Sequence, residues 1–77
     1  MKTINDLKPG QTGIIEKIMC EASLQRRIAD MGITPGARVL MKRVAPFGDP
    51  IQINVRGFDL SIRKADAQNI KLKERIN

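Results

Sequence analysis

The chain has no histidine, no tryptophan and no tyrosine, and it has a single cysteine in 77 residues. Without histidine it lacks the side chain most often used as a general base near neutral pH and as a transition-metal ligand. A lone Cys20 excludes an internal disulfide and any site built from several cysteines. Only Phe47 and Phe58 are aromatic, so the core has to be aliphatic and there is almost no platform on which bases can stack. No apolar run approaches the ~20 residues needed to cross a bilayer, and Met1-Lys2-Thr3-Ile4-Asn5-Asp6 has no apolar signal segment. These absences predict a soluble, reduced, cytoplasmic protein.

The length fits one domain, residues 1–77, and so short a chain buries only roughly 60% of the surface its unfolded form exposes. A multi-step enzyme pocket is hard to fit in it. Fourteen Lys and Arg against eight Asp and Glu leave a net charge of +6. That excess favours anionic partners, and ordinary solubility explains it equally well.

The hydrophobic period changes around Arg27-Ile28-Ala29-Asp30-Met31-Gly32-Ile33-Thr34-Pro35-Gly36. Leu24, Ile28 and Met31 share one helical stripe, with Gln25, Arg26, Ala29 and Asp30 opposite. The helix starts between Cys20 and Ser23 and stops at Gly32, which can adopt the left-handed conformation. Ile33 turns inward, and Pro35-Gly36 forms a tight turn leading into a strand from Ala37 to Val44 with Val39 and Met41 facing in.

Before the helix, Asn5 to Gly10 is turn-forming, anchored by Ile4 and Leu7. A first strand runs from Gln11 to Ile18, where adjacent Ile14 and Ile15 require a bulge or burial on both faces near Gly13. After the second strand, Val44-Ala45-Pro46-Phe47-Gly48-Asp49-Pro50 has to be a loop, because prolines cannot donate ladder hydrogen bonds. Ile51, Ile53 and Val55 then alternate with Gln52, Asn54 and Arg56. Across the Arg56-Gly57 turn, Phe58, Leu60 and Ile62 are expected to face in, with Asp59, Ser61 and Arg63 out. One helical or 3₁₀ turn covers Lys64 to Asn69. Ile70 and Leu72 alternate with Lys71 and Lys73 in a last strand, and Arg75-Ile76-Asn77 is expected to fray. Five short strands with one helix inserted between the first and second predict a mainly β, strongly bent small barrel whose closure removes exposed edges.

No catalytic residue is assigned. Asp30 lies on the polar helix face, Asp49 fits a turn aspartate bonding its own backbone, and Asp59 points out of a strand. Pro9-Gly10-Gln11-Thr12-Gly13 lacks the lysine and following helix of a phosphate-binding loop. Cys20 reads as a small half-buried apolar residue, and Met31 and Met41 as core residues, leaving no metal site among them; Met19 is the third thioether considered. The basic residues Arg26-Arg27, Lys42-Arg43, Arg63-Lys64, Lys71, Lys73 and Arg75 are scattered along the chain.

In Leu7-Lys8-Pro9-Gly10, in the segment from Arg27 to Gly36, in Val44 to Ile51, and in Gly57 to Arg63 with Ala67 and Ile70, the chain resembles the FeoA family. Its members are the small cytosolic companions of the ferrous iron transporter FeoB. The resemblance spans nearly the whole length. Ile28 and Met31 stand where the family usually shows leucine, a change between apolar residues of similar volume. The resemblance implies an SH3-like barrel, also found at the C-terminus of iron-dependent repressors of the diphtheria-toxin-repressor type, and no catalytic activity. It points to a non-enzymatic accessory role in Fe²⁺ uptake through contact with the cytoplasmic domain of a FeoB-type transporter. Metal binding is part of the family's usual description; with this donor set, weak or no binding of a transition metal by the monomer is expected.

The contact residues expected on the docking face are Arg26, Arg27 and Phe47, because arginine and aromatic side chains concentrate binding energy at interfaces. Gly32, Pro35, Gly36, Pro46, Gly48, Asp49 and Pro50 serve as turn residues. Two rival roles are a nucleic-acid-binding barrel and a modulator of GTP hydrolysis in which Arg26 or Arg27 reaches a partner's active site. Self-association is compatible with the thin core.

Overall fold

The computed structural model describes residues 2–76 of the chain, with side chains through Lys73. A 3₁₀ turn, Ile4–Asp6, precedes β1 (Thr12–Ile18) and the helix α1 (Ala22–Asp30). Then come β2 (Arg38–Val44), β3 (Ile51–Val55), β4 (Phe58–Ile62), a single turn α2 (Lys64–Ala67) and β5 (Ile70–Ile76). The five strands form one antiparallel sheet in the order β4-β3-β2-β1-β5. Principal extents of 30 × 25 × 25 Å show the sheet wrapped around its core rather than spread flat.

That core is aliphatic. Ile4, Ile15, Ile28, Ile33, Ile53 and Leu72 are at most 1% exposed, and no polar residue is buried among the described residues. Ile51, Ile53 and Val55 are buried while Gln52 and Asn54 are only partly covered, so the alternation of β3 sets the inner face as its period requires.

The end of α1 shows how the sequence redirects the chain. Gly32 has φ +87°, its N–H donates to the Ala29 carbonyl, and the Ile33 N–H reaches back to the Ile28 carbonyl. This is the paired closure of a Schellman motif, and the two residues it brings together, Ile28 and Ile33, are both buried. The next turn is closed by the Ala37 N–H donating to the Thr34 carbonyl at 3.0 Å. Pro35 sits at its second position and Gly36, at φ +91°, at its third.

The irregularity expected in β1 is present. Register shifts against β5 fall between Gly13 and Ile15 and between Ile15 and Lys17. At Gly13 an added Cβ would lie 2.8 Å from Leu72 Cδ1, so the buried leucine of β5 would have to shift to admit a side chain there. A further bulge in β2 leaves Lys42 unpaired between Met41, opposite Ile53, and Arg43, opposite Gln52.

Four expectations require correction. Met31 is 40% exposed rather than core, because the helix ends beside it and nothing covers the last turn of the stripe. Phe58 is 72% exposed although it shares a face with buried Val55, its direct partner across the hairpin. It stands at the outer end of an edge strand, beyond the reach of the core. The ladder also does not close: β4 and β5 are its two ends and are joined by α2, so edges persist. Finally, β5 continues through Ile76, paired with Gly13, where fraying was expected; Asn77 lies outside the described residues.

Candidate partner-binding surface

Arg26 and Arg27 are exposed on α1. The helix is fastened below them by Gln25, whose side-chain amide donates to the Ile18 carbonyl at 3.1 Å and the Cys20 carbonyl at 2.8 Å. Gln25, on the polar side of the helix, thereby ties α1 to the end of β1 and to the β1–α1 connection. Arg27 lines a shallow cavity floored by Leu24, Ile28 and Met31, with Asp30 and Asp66 at its acidic rim.

Phe47 occupies the corner of a turn in which Gly48 donates to the Ala45 carbonyl at 2.7 Å. Pro46 precedes it, Gly48 follows at φ +88°, and the Asp49–Pro50 peptide is cis. The ring is 99% exposed. An aromatic side chain fully in water on a turn held by backbone hydrogen bonds is costly to hydrate and ready to be covered. Beside the loop lies a second cavity, lined among others by Arg43, Val44, Pro46 and Pro50. It shares no residue with the cavity that Arg27 lines. Neither Arg26 nor Phe47 is among the residues lining these two cavities.

Asp49 does not bond its own turn. Its carboxylate accepts from the Lys64 N–H at 2.9 Å, tying the proline loop to the start of α2 across 15 positions of sequence. Asp59 accepts from the Asn54 side-chain amide at 2.8 Å and lies 3.9 Å from Lys42 Nζ. Asp30 is exposed on the helix. These three carboxylates form no cluster of general acids and bases.

Cys20 is half-buried and packs against the core. Burial pushes its thiol up, with the negative charges of Glu21 and Asp66 adding to the effect, so the thiolate needed for metal binding or attack is disfavoured. Met41 is buried as expected. Among the described residues no three His, Cys, Asp or Glu side chains gather in a way that holds a metal ion. The donor set does not fit a tetrahedral transition-metal centre.

One arginine that sequence reasoning passed over is fixed in place. Arg56 has φ +54° in the β3–β4 turn. Its Nε donates to the Gly32 carbonyl at 3.2 Å and its Nη2 to Thr34 Oγ1 at 2.9 Å. It therefore pins the hairpin to the end of α1. The Arg-Gly dipeptide marks the turn, but no local signal reveals a bond to residues more than twenty positions away.

A family model described as the FeoA domain matches residues 2–74. The chain belongs to the FeoA family. Members of this family are linked to ferrous iron transport. A FeoA-like protein from Clostridium acetobutylicum is 35% identical, with a TM-score of 0.83 over 95% of this chain and 87% of that one. Stenotrophomonas maltophilia FeoA, solved in complex with zinc and described as a prokaryotic SH3 domain protein, has a TM-score of 0.82 at 21% identity. It covers 95% of this chain and 91% of its own, and at that identity it shows the shared SH3-like fold. A Fe(2+) transport protein A/Fe(2+) transporter FeoB fusion protein of Porphyromonas gingivalis is 24% identical over 70 residues, which are 91% of this chain. The FeoA chain spans 8% of the length of that relative. No helix among the described residues is long and apolar enough to cross a membrane.

Proposed function

We propose that this FeoA domain is a non-enzymatic cytoplasmic accessory of ferrous iron uptake that acts by contact with the cytoplasmic part of a FeoB-type transporter. The observation that carries this reading is the P. gingivalis fusion, in which a related domain and FeoB are one polypeptide. Covalent linkage replaces a bimolecular encounter by a high effective concentration. A free domain doing the same work has to supply that proximity with a binding surface of its own.

The arginines of α1 and the exposed Phe47 supply the residue types for such a surface. Arginine gives several donors for carboxylates, and the phenylalanine gives an apolar anchor that leaves water on binding. The partner either spans the arginines and the phenylalanine or uses one of them, and substitutions at each, alone and paired, tell these apart.

The test is capture of the detergent-free cytoplasmic domain of the transporter by the wild-type chain and by Arg26→Glu and Phe47→Ala variants. Loss of a residue at the heart of the contact weakens binding by roughly thirtyfold or more. Undiminished binding by both variants removes these residues from the contact, and no capture by the wild type overturns the reading. The GTP hydrolysis rate measured with and without added chain separates docking alone from modulation.

A further inference from the structure

The outer edge of β4 lacks several of the usual protections of an edge strand, and its one charged residue is Asp59. Proteins blunt exposed edges with lysine, proline, bulges or a covering segment, because unpaired N–H and C=O groups otherwise recruit another strand. From Phe58 to Ile62 there is no lysine and no proline. Its ladder with β3 runs through five consecutive pairs, Val55–Phe58 to Ile51–Ile62, without a register shift. Phe58, Asp59 and Ser61 are exposed and Leu60 is half-buried.

We infer that two copies of this chain associate through β4, antiparallel about a twofold axis at Leu60. The sequence of the strand selects this occupant. In that register Leu60 meets Leu60 of the second copy and Phe58 meets Ile62, so the apolar row of one β4 continues into the other. On the opposite face Asp59 meets Ser61 and lies diagonal to Arg63, an oppositely charged neighbour. The two Asp59 carboxylates form the other diagonal, each already held by Asn54 and Lys42. Slipping by one residue would set apolar side chains against polar ones. Centring the pair on Asp59 would set like charges directly opposite, which is destabilising.

The five paired residues per strand make a small interface, below the size of stable permanent dimers, so association is weak and concentration-dependent. It joins two curled sheets into one ten-stranded sheet and covers Phe58, which the single chain leaves 72% exposed. This inference does not depend on the transporter contact, because Arg26, Arg27 and Phe47 take no part in it; of the proline loop, Asp49 and Pro50 border Ser61 to Arg63.

Sedimentation equilibrium of the full chain at physiological salt, over protein concentrations from about 10 μM to 1 mM, spans the range where interfaces of this size assemble. A monomer–dimer equilibrium is expected. Leu60→Lys places two ammonium groups across the axis and is expected to weaken self-association by roughly a hundredfold or more. Asp59→Arg and Arg63→Asp each replace an attraction by a repulsion and weaken it by about tenfold. The double variant Asp59→Arg/Arg63→Asp restores it, an outcome that misfolding of either single variant cannot produce. A chain monomeric throughout, a dimer indifferent to Leu60→Lys, or a double variant no better than the singles overturns the inference.

Discussion

The two edges of the sheet, β5 and β4, are treated in opposite ways. At β5 the chain's own N-terminal segment closes the ladder: Thr3 bridges to Lys71, and the Leu72 N–H donates to the Lys2 carbonyl at 2.8 Å. Lys71 and Lys73 line that strand, and register shifts break its pairing with β1. Each of these features discourages a foreign strand. At β4 the ladder is regular, Phe58, Asp59 and Ser61 are exposed, and among the described residues no segment pairs with its outer side. The segment around Thr3 thus covers one edge of the sheet, and β4 forms the other.

Burial separates the edges too, and the largest expected effect tests it. Leu72 on β5 is fully buried opposite Ile15, whereas Leu60 on β4 is only half-covered. Leu72→Ala should destabilise the monomer by about 2–5 kcal/mol, as core truncations do, and Leu60→Ala by about 1 kcal/mol. Urea unfolding at low protein concentration measures both. Equal losses would mean that β4 is as deeply integrated as β5 and would remove the contrast.

Gly13→Ala comes next. The new methyl would sit 2.8 Å from Leu72 Cδ1, and overpacking of this kind costs about 1–3 kcal/mol, partly offset by the reduced freedom of the unfolded chain. Combining it with Leu72→Val should recover part of the loss. Strict additivity of the two changes would show that β5 does not press on β1 there. At the β4 end, Asp49→Ala removes the acceptor of the Lys64 N–H. A loss of about 1 kcal/mol is expected, comparable to removing a helix cap, with Asn at the same position costing less. Because the carboxylate of Asp49 holds the first residue of α2, hydrogen exchange should speed up at Lys64 to Ala67 and leave β5 unchanged.

The sequence made most of the framework legible because its signals are local. The strict alternation of Ile51, Ile53 and Val55, the Gly32 stop after α1 and the Arg56-Gly57 turn each depend on near neighbours, and each is realised. What failed depends on distant cover. Phe58 obeys the period of its strand and still stands in water, since period assigns a face and says nothing of whether anything lies over it. Met31 fails for the same reason one turn past the last packed residue. The bonds from Arg56 to Gly32 and from Asp49 to Lys64 were invisible because they join segments that only folding brings together. The expected contact residues Arg26, Arg27 and Phe47 are all exposed, as arginines opposite the apolar stripe of a helix and a residue in a proline-bounded turn are expected to be.

The smallest expected effect concerns the charge on the protected edge. Lys71 Nζ lies 3.0 Å from Glu16 Oε1 across the β1–β5 pair. That hydrogen bond, assisted by the positive charges of Lys71, Lys17 and Lys73, holds the Glu16 carboxyl below its ordinary range against a partial burial that acts the other way. A carboxyl whose native pKa is depressed contributes stability above its unfolded pKa and loses that contribution as pH falls through the native one. The stability difference between wild type and Glu16→Gln should therefore be constant at neutral pH and shrink below about pH 4. Since both side chains reach solvent, the difference should also fall in 1 M salt. Urea titrations at neutral and acid pH measure it, and a difference that persists or grows at low pH would show that Glu16 acts through packing. Persistence would also sharpen the contrast between the edges, since β5 would then be guarded by its lysines free of any stabilising partner, with their charge serving only to repel a second strand.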